Sequence, residues 1–121
     1  MMPILQFQYS DNLNIDIKIE KFLLEVHGIL VQEIKTDLRT CRSSIVKNSH
    51  YLIGDGNEKN AYIMLKIQML PGRTDAIKNR LGELLLKKIK RDFSKEIEGH
   101  DLQLRVYLTE TEKNHYYGLE S

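Results

Sequence analysis

The stretch Pro3-Ile4-Leu5-Gln6-Phe7-Gln8-Tyr9 reads as a β-strand, and it decides the fold predicted for the rest of the chain. Its side chains alternate weakly, with Leu5, Phe7 and Tyr9 directed to one side. Proline lacks a backbone N–H inside a chain, so it is ordinary at the first residue of a strand. If the preceding residues are removed, the same proline becomes a terminal secondary amine that can carry or accept a proton.

The composition predicts one small domain spanning residues 1–121. This length is close to the commonest domain size, and 41% hydrophobic residues supply enough apolar surface for a core. The formal net charge of +1 gives no reason to expect nucleic acid or an anionic membrane as a partner. No apolar run approaches the ~20 residues of a membrane span, and the first residues lack the design of a signal peptide. A single cysteine, Cys41, excludes an internal disulfide, so we expect a cytoplasmic protein.

A helix is predicted after the first strand. Ser10-Asp11-Asn12 reads as a turn, because all three side chains can hydrogen-bond their own backbone. Apolar residues at helical spacing follow, and a loop is expected where the pattern lapses between Gln32 and Arg39. The apolar positions of this helix are Ile15, Ile19, Phe22, Leu23, Val26 and Leu30.

The middle of the chain predicts two extended segments joined by a turn. Extended structure is expected from Thr40 to Ile53, and Gly54-Asp55-Gly56-Asn57 is a strong turn signal. The run from Ala61 to Met69 is apolar almost throughout, which is typical of a strand buried on both faces. Together the two segments predict a long antiparallel hairpin. Tyr62 next to this strand could line a pocket, but we interpret it as a core residue.

A second helix and a last strand complete the pattern. Thr74 is a good N-cap, and we expect the helix to stop near Gly99. The cations from Lys87 to Arg91 are interpreted as a solvated helix face. Apolar and polar residues alternate cleanly from Leu102 to Thr109, which predicts a strand. The apolar positions of this helix are Ile77, Leu81, Leu84, Leu85, Ile89 and Phe93.

The predicted order is strand, helix, strand, repeated once. Residues 3–46 and 61–109 therefore read as two βαβ units. A sheet with both helices on one face gives an α/β two-layer sandwich with a mixed sheet. Because two helices cover only one face of the sheet, we expect the chain to form oligomers.

At this level of detail the chain resembles the 5-carboxymethyl-2-hydroxymuconate isomerase family of the tautomerase superfamily. The resemblance rests on Pro3 at the start of an apolar strand, Ser10-Asp11-Asn12 after it, Arg42-Ser43, Asp55-Gly56, and Gly72-Arg73-Thr74 at the second helix. The shared order and spacing extend without gaps from Pro3 to about Phe93. Each motif alone is weak evidence for the family, whereas the complete set in this order and spacing is more specific.

The resemblance implies a concrete chemistry. Members of this family use an amino-terminal proline as a general acid–base and form homotrimers of two βαβ units per subunit. They move a proton from the 2-hydroxyl of a dienol to a distal carbon in homoprotocatechuate degradation, an aromatic catabolic route, without a metal or organic cofactor. By position, Pro3 would be the base, while Arg42 and Arg73 would hold and polarise a small carboxylate substrate.

The residue types suit that chemistry on physical grounds. A base working at neutral pH needs a pKa near it, and burial beside cations lowers the pKa of an amine. Arginine pairs with a carboxylate through two parallel hydrogen bonds, which lysine does not. An arginine at a helix N-terminus also meets an unfavourable dipole end, so Arg73 there suggests an anionic ligand.

Simpler interpretations stay open for these residues. Pro3 is often merely a strand starter, Arg42 is compatible with a solvated strand position, and Arg73 with a charge at the start of the helix. The chain begins Met1-Met2-Pro3, so Pro3 becomes a free amine only if synthesis starts at Met2 and that methionine is removed. Ser44 stands where family members tend to carry another arginine. The alternatives are therefore a tautomerase of another 2-keto acid enol, or a silent trimer that binds a small carboxylate.

Overall fold

The computed structural model describes residues 3–119. Four strands and two helices follow one another in the predicted order. The elements are β1 (Pro3–Ser10), α1 (Asp16–Ile34), β2 (Arg42–Asn48), β3 (Asn60–Met69), α2 (Asp75–Asp92) and β4 (Asp101–Glu110). Within these residues, neither helix is long and apolar enough to cross a membrane.

The four strands form one mixed sheet in the order β2-β1-β3-β4. The outer strands are each parallel to an inner neighbour, β2 to β1 and β4 to β3, whereas β1 and β3 are antiparallel. Each parallel pair is connected through one helix, since parallel strands need a crossover connection. The predicted α/β two-layer sandwich built from two βαβ units is therefore confirmed, and the two units meet at the β1–β3 pairing.

The predicted hairpin between the two middle segments is wrong. β2 ends at Asn48, short of Ile53, and its partner is β1, which lies between β2 and β3. The turn itself is real, because Gly56 N donates to the Ile53 carbonyl at 2.9 Å and Asn57 N to Asp55 Oδ1 at 3.0 Å. Turn chemistry is local and does not choose strand partners, whereas the α1 crossover delivers β2 to the other side of β1.

β3 is buried on one face in the single chain, not on both as predicted. Its odd-numbered side chains from Ala61 to Met69 are buried, whereas Lys66 and Gln68 are exposed. Tyr62 is half-buried on this second face, so its assignment to the core is also wrong. The reason is that both helices cover the face of the sheet that carries the odd-numbered residues of β1, β2 and β3 and the even-numbered residues of β4. We call the opposite face, which carries the even-numbered residues of β1, β2 and β3, the open face.

Helix boundaries differ from the predictions by a few residues. α1 continues to Ile34, two residues beyond the predicted start of the loop. α2 has the predicted N-cap, since Ile77 N donates to Thr74 Oγ1 at 3.2 Å, but it ends at Asp92. Consecutive turns occupy the stretch up to Gly99, where the sequence had placed the helix end. Gly99 therefore ends the stretch of turns that follows α2, whereas α2 itself ends earlier, at Asp92.

Aromatic rings join the central strand to both helices. Phe7 on β1 lies 5.6 Å from the ring of Phe22 on α1 and 5.9 Å from that of Phe93 after α2. The last two rings lie 5.2 Å apart, so the three form a closed cluster in the core. Such tilted and edge-on pairs contribute about 0.5–1.5 kcal/mol each beyond their buried area.

Lys88 departs from the prediction of a solvated cationic face on α2. Its side chain is 6% exposed and bonds Glu25 Oε1 at 2.6 Å and Asp92 Oδ2 at 2.7 Å. Burial opposes its charge, but the hydrogen bonds to Asp92 and Glu25 outweigh that effect and raise its pKa. The ion pair between the buried Lys88 and the exposed Glu25 links α2 to α1.

We expect Lys88→Ala to lower the free energy of unfolding by about 1–3 kcal/mol, because it removes charge-assisted hydrogen bonds to Glu25 and Asp92, of which only Asp92 keeps a second cation, Arg91. Lys90→Ala is the matched control, since Lys90 is exposed on the same helix, and its effect should stay within about 0.5 kcal/mol. Urea unfolding of both variants measures the difference. Equal effects would contradict the structural role of Lys88.

Candidate active site

Pro3 opens β1 in the helix-covered layer. It is buried, and it pairs with Met69, the last residue of β3, in the antiparallel register. Its side chain lies on the same face of the sheet as those of Leu5 and Phe7, which are fully buried against the helices. The proline therefore sits at the end of the sheet where the chain leaves β3 for α2.

Arg73 is held at this same end. Its Nη1 donates to the Leu70 carbonyl at 2.9 Å, and its Nη2 donates to the Ile34 carbonyl at 3.0 Å. Leu70 directly follows Met69, the strand partner of Pro3. A guanidinium carries five N–H donors, so these two contacts leave three for a ligand.

The Ile34 contact changes the interpretation of Arg73. The sequence places this cation beside the N-terminus of α2, where the helix dipole disfavours it. In the structure its guanidinium reaches the last carbonyl of α1, the helix end that favours a cation. Its position therefore has a structural explanation that does not require an anionic ligand, and its role in binding stays a prediction.

Gly72 allows the chain to place Arg73 there. Its φ of +126° lies in a region that residues with a side chain rarely adopt. The glycine turns the backbone between β3 and α2 so that Thr74 can cap the helix. The Gly-Arg-Thr motif thus combines a turn, a cation and an N-cap in three consecutive residues.

Arg42 lies on the opposite side of the sheet from Arg73. It opens β2 and pairs with Ile4, which in turn pairs with Gln68. Paired residues share a face, so Arg42 belongs to the open face. It is exposed, and its guanidinium has no hydrogen-bond or ion-pair partner within residues 3–119. A single chain therefore places Pro3 and Arg73 at the same end of the sheet, while Arg42 approaches the start of β1 from the other face.

A cavity of about 470 Å³ lies beside Arg42 on the open face. The segment after β4 forms one wall, where Thr111 N donates to the Met69 carbonyl at 2.8 Å and Gln68 Nε2 donates to Thr111 Oγ1 at 2.6 Å. The cavity begins one residue from Pro3. Its lining comprises Ile4, Arg42, Gln68, Thr111, His115, Tyr116, Tyr117, Gly118 and Leu119.

Sequence reasoning missed Gln68 and the residues after β4 as parts of this cavity. Lys66 and Gln68 interrupt an otherwise apolar strand at every second position, and this pattern indicates an uncovered face. The segment from Thr111 to Leu119 carries no comparable signal, because its polar composition is that of an ordinary loop. Its return to the sheet depends on backbone hydrogen bonds that sequence does not encode locally.

The remaining titratable candidates lie elsewhere. His27 Nε2 lies 2.7 Å from Ser43 Oγ, and burial lowers the His27 pKa, so the imidazole is held neutral. Burial, followed by the charge of Asp37, raises the pKa of the Cys41 thiol, which makes it a poor nucleophile. No group of three or more His, Cys, Asp or Glu side chains suited to a metal ion occurs within residues 3–119.

Comparison with known families identifies the family of the chain. Residues 3–119 match the family model described as 5-carboxymethyl-2-hydroxymuconate isomerase. The chain belongs to this family. The 5-carboxymethyl-2-hydroxymuconate isomerases are members of the tautomerase superfamily, so the chain is an isomerase with a tautomerase-like fold. The match begins at Pro3, the residue with which β1 begins.

Solved structures share the fold. A 5-carboxymethyl-2-hydroxymuconate isomerase from Deinococcus radiodurans has a TM-score of 0.89 at 23% identity, covering 99% of this chain and 90% of that chain. A 5-carboxymethyl-2-hydroxymuconate delta-isomerase has a TM-score of 0.77 at 18% identity, with coverages of 99% and 88%. A fused wild-type 4-OT symmetric trimer has a TM-score of 0.70 at 18% identity, with coverages of 92% and 87%. No curated protein matches the chain by sequence.

The two arginines should differ in their effect on stability. Arg73→Gln removes two hydrogen bonds from a cation, so we expect it to lower the free energy of unfolding by about 1–3 kcal/mol. Arg42→Gln should change it by less than about 0.5 kcal/mol, because exposed side chains without partners contribute little. Chemical denaturation of both variants measures this. A larger loss for Arg42→Gln would contradict the geometry described above.

Proposed function

We propose that this isomerase converts 5-carboxymethyl-2-hydroxymuconate to its conjugated 2-oxo form, without a cofactor, in homoprotocatechuate degradation. The observation that carries the proposal is the placement of Pro3, at the end of the sheet beside Arg73 and one residue from the cavity of Arg42. Family membership supplies the reaction type. Pro3, Arg42 and Arg73 are residues of the types that this reaction would require.

In the proposed mechanism Pro3 shuttles one proton. The proline nitrogen, as a free terminal amine, takes the proton from the 2-hydroxyl of the dienol, and a proton is returned to the distal carbon. Burial favours the neutral amine, which is the form a base requires, and the Arg73 cation at the same end of the sheet would act in the same direction. Because one group accepts and returns the proton, a second acid–base residue is not needed.

The arginines bind carboxylates and stabilise negative charge in this mechanism. The free N–H donors of Arg73 face the developing charge on the 2-oxygen and the adjacent carboxylate. Arg42 binds a distal carboxylate, since it is exposed beside a cavity and lacks a partner within residues 3–119. A substrate carrying several carboxylates suits two cations that approach Pro3 from opposite sides.

We further propose that the protein is a homotrimer. The uncovered face of the sheet and the placement of Arg42 on it support this, because a neighbouring subunit packed there would enclose the cavity. The fused 4-OT neighbour is a symmetric trimer of the same fold. Whether Arg42 serves the Pro3 of its own subunit or that of a neighbour depends on that packing.

A second candidate is a tautomerase of another 2-keto acid enol, such as a phenylpyruvate-type enol. Ser44 pairs with Gln6 and is the next residue after Arg42 on the open face of β2. Its hydroxyl is neutral, whereas an arginine at this position would add a second positive charge. Tyr116 and Tyr117 supply aromatic surface to the cavity. A panel of mono- and dicarboxylate enols separates the two candidates by kcat/KM.

Protein whose mature chain starts at Pro3 should catalyse ketonisation, and a form that retains Met2 should be inactive because an amide nitrogen cannot accept the proton. Pro3→Ala with an authentic terminus should lose about 10²–10⁴-fold in kcat/KM. Intact mass fixes the terminus of each sample, and the two forms of the same chain control for folding. Full activity in either altered form would sink the proline mechanism.

Native mass spectrometry should show three chains per particle at micromolar concentration. A trimer is expected because a small isomerase whose sheet is uncovered on one side gains stability by burying that side. A monomer that still turns over the dienol would overturn the proposed assembly without affecting the proposed chemistry.

A further inference from the structure

Gln68 faces Arg42 across the floor of the cavity on the open face. Arg42 on β2 pairs with Ile4 on β1, and Ile4 pairs with Gln68 on β3, so the three residues form one row across the sheet. Neighbouring strands lie about 4.8 Å apart, which places the backbones of Arg42 and Gln68 roughly 10 Å from each other. Both side chains line the same cavity of about 470 Å³. The cavity therefore has a cation on one side of Ile4 and an amide on the other.

The Gln68 amide is held by the segment after β4. Its Nε2 donates to Thr111 Oγ1 at 2.6 Å. Thr111 is itself fixed to the sheet, since its backbone N donates to the Met69 carbonyl at 2.8 Å. An unrestrained glutamine loses side-chain entropy when it binds a ligand, whereas this amide is already partly ordered. Thr111 is thus a positioning residue for Gln68.

Gln68 keeps hydrogen-bonding capacity that the chain does not use. A primary amide has two N–H donors and a carbonyl acceptor, and only one donor is engaged within residues 3–119. The side chain is exposed, so a ligand in the cavity can reach it. Arg42 is also exposed and has no partner within the same residues. Free donors on two sides of one cavity favour a ligand group with two acceptor oxygens, such as a carboxylate.

We propose that Gln68 is a substrate-binding residue whose free N–H donates a hydrogen bond to the distal carboxylate paired with Arg42. This inference rests on the proposed function, and it assigns the cavity to the end of the substrate away from the 2-oxygen. Arg42 supplies charge-assisted bonds from one side of the carboxylate, and the amide adds a neutral donor from the other. Gln68 therefore contributes to specificity for dicarboxylates over monocarboxylates.

Two probes of equal length isolate the distal carboxylate. 2-Oxoadipate carries this group, whereas 2-oxohexanoate has a methyl group in its place, and neither has the C=C bonds of the dienol. Isothermal titration calorimetry gives both Kd values, and their ratio measures recognition of the one group. The wild-type protein should prefer 2-oxoadipate by about a hundredfold, and Gln68→Leu should reduce this preference about tenfold, because a hydrogen bond to a charged group is lost. The Kd for 2-oxohexanoate should stay within about threefold of wild type.

Changes of charge at position 68 make the test specific. Gln68→Glu should abolish the preference, since its carboxylate repels that of the ligand and competes for Arg42. Gln68→Lys keeps a donor and adds a positive charge, so the preference should rise. Thr111→Val keeps the Gln68 donors but releases the amide, so the preference should fall by about threefold. Gln8→Leu is the matched control, because Gln8 lies on the open face but does not line the cavity, and it should leave both Kd values unchanged.

The possible outcomes separate this inference from the proposed function. A Gln68→Leu protein with the wild-type preference overturns the inference, and so does a wild-type protein that binds both probes equally or binds neither. A wild-type protein that prefers 2-oxoadipate but does not turn over the dienol contradicts the proposed reaction, while the comparison of Kd values still decides the role of Gln68. If turnover is normal and Gln68→Leu retains the wild-type kcat/KM, the inference alone fails.

Discussion

The antiparallel register that pairs Pro3 with Met69 determines the geometry of the candidate active site. It puts the first residue of β1 beside the last residue of β3, so the β3–α2 connection, with Gly72 and Arg73, begins next to the proline. A shift of one residue would exchange the faces of every side chain on one strand. Either Leu5 and Phe7 or the odd-numbered side of β3 would then lose contact with the helices. Burial of the core therefore holds the site residues in register.

The helices cover only one face of the sheet, and this also separates the cations Arg42 and Arg73. Arg42 belongs to the open face through its pairing with Ile4, whereas Arg73 is tied to the carbonyl at the end of α1. The start of β1 lies between them. This arrangement suits a flat substrate with negative charges at its two ends more than a compact anion that one arginine could hold. It also makes the environment of Arg42 dependent on whatever covers the open face.

Elements with a strong periodic pattern were predictable from the sequence. The clean alternation of β4 and the Thr74 cap of α2 both reflect interactions within a few residues, and both are confirmed. The hairpin prediction failed because the strand that pairs with β2 is determined by a long-range connection, the α1 crossover. Lys88 was misassigned because its partner Glu25 is 63 residues away. Pro3, Arg42 and Arg73 were chosen from the resemblance and from local chemistry, whereas the cavity wall after β4 appears only in three dimensions.

The contact between Arg73 and Ile34 has a consequence for synthesis of the chain on the ribosome. α1 has no basic residue in its last turn, so the cation at its C-terminal end comes from a residue 39 positions later. The first βαβ unit thus emerges with Lys35 as the nearest cation to this helix end, and the Ile34 carbonyl acquires its guanidinium hydrogen bond only when the second unit has begun to fold. We therefore expect the two units to fold cooperatively, despite their repeated architecture. A nascent first unit should lack its complete set of native contacts until Arg73 has been synthesised.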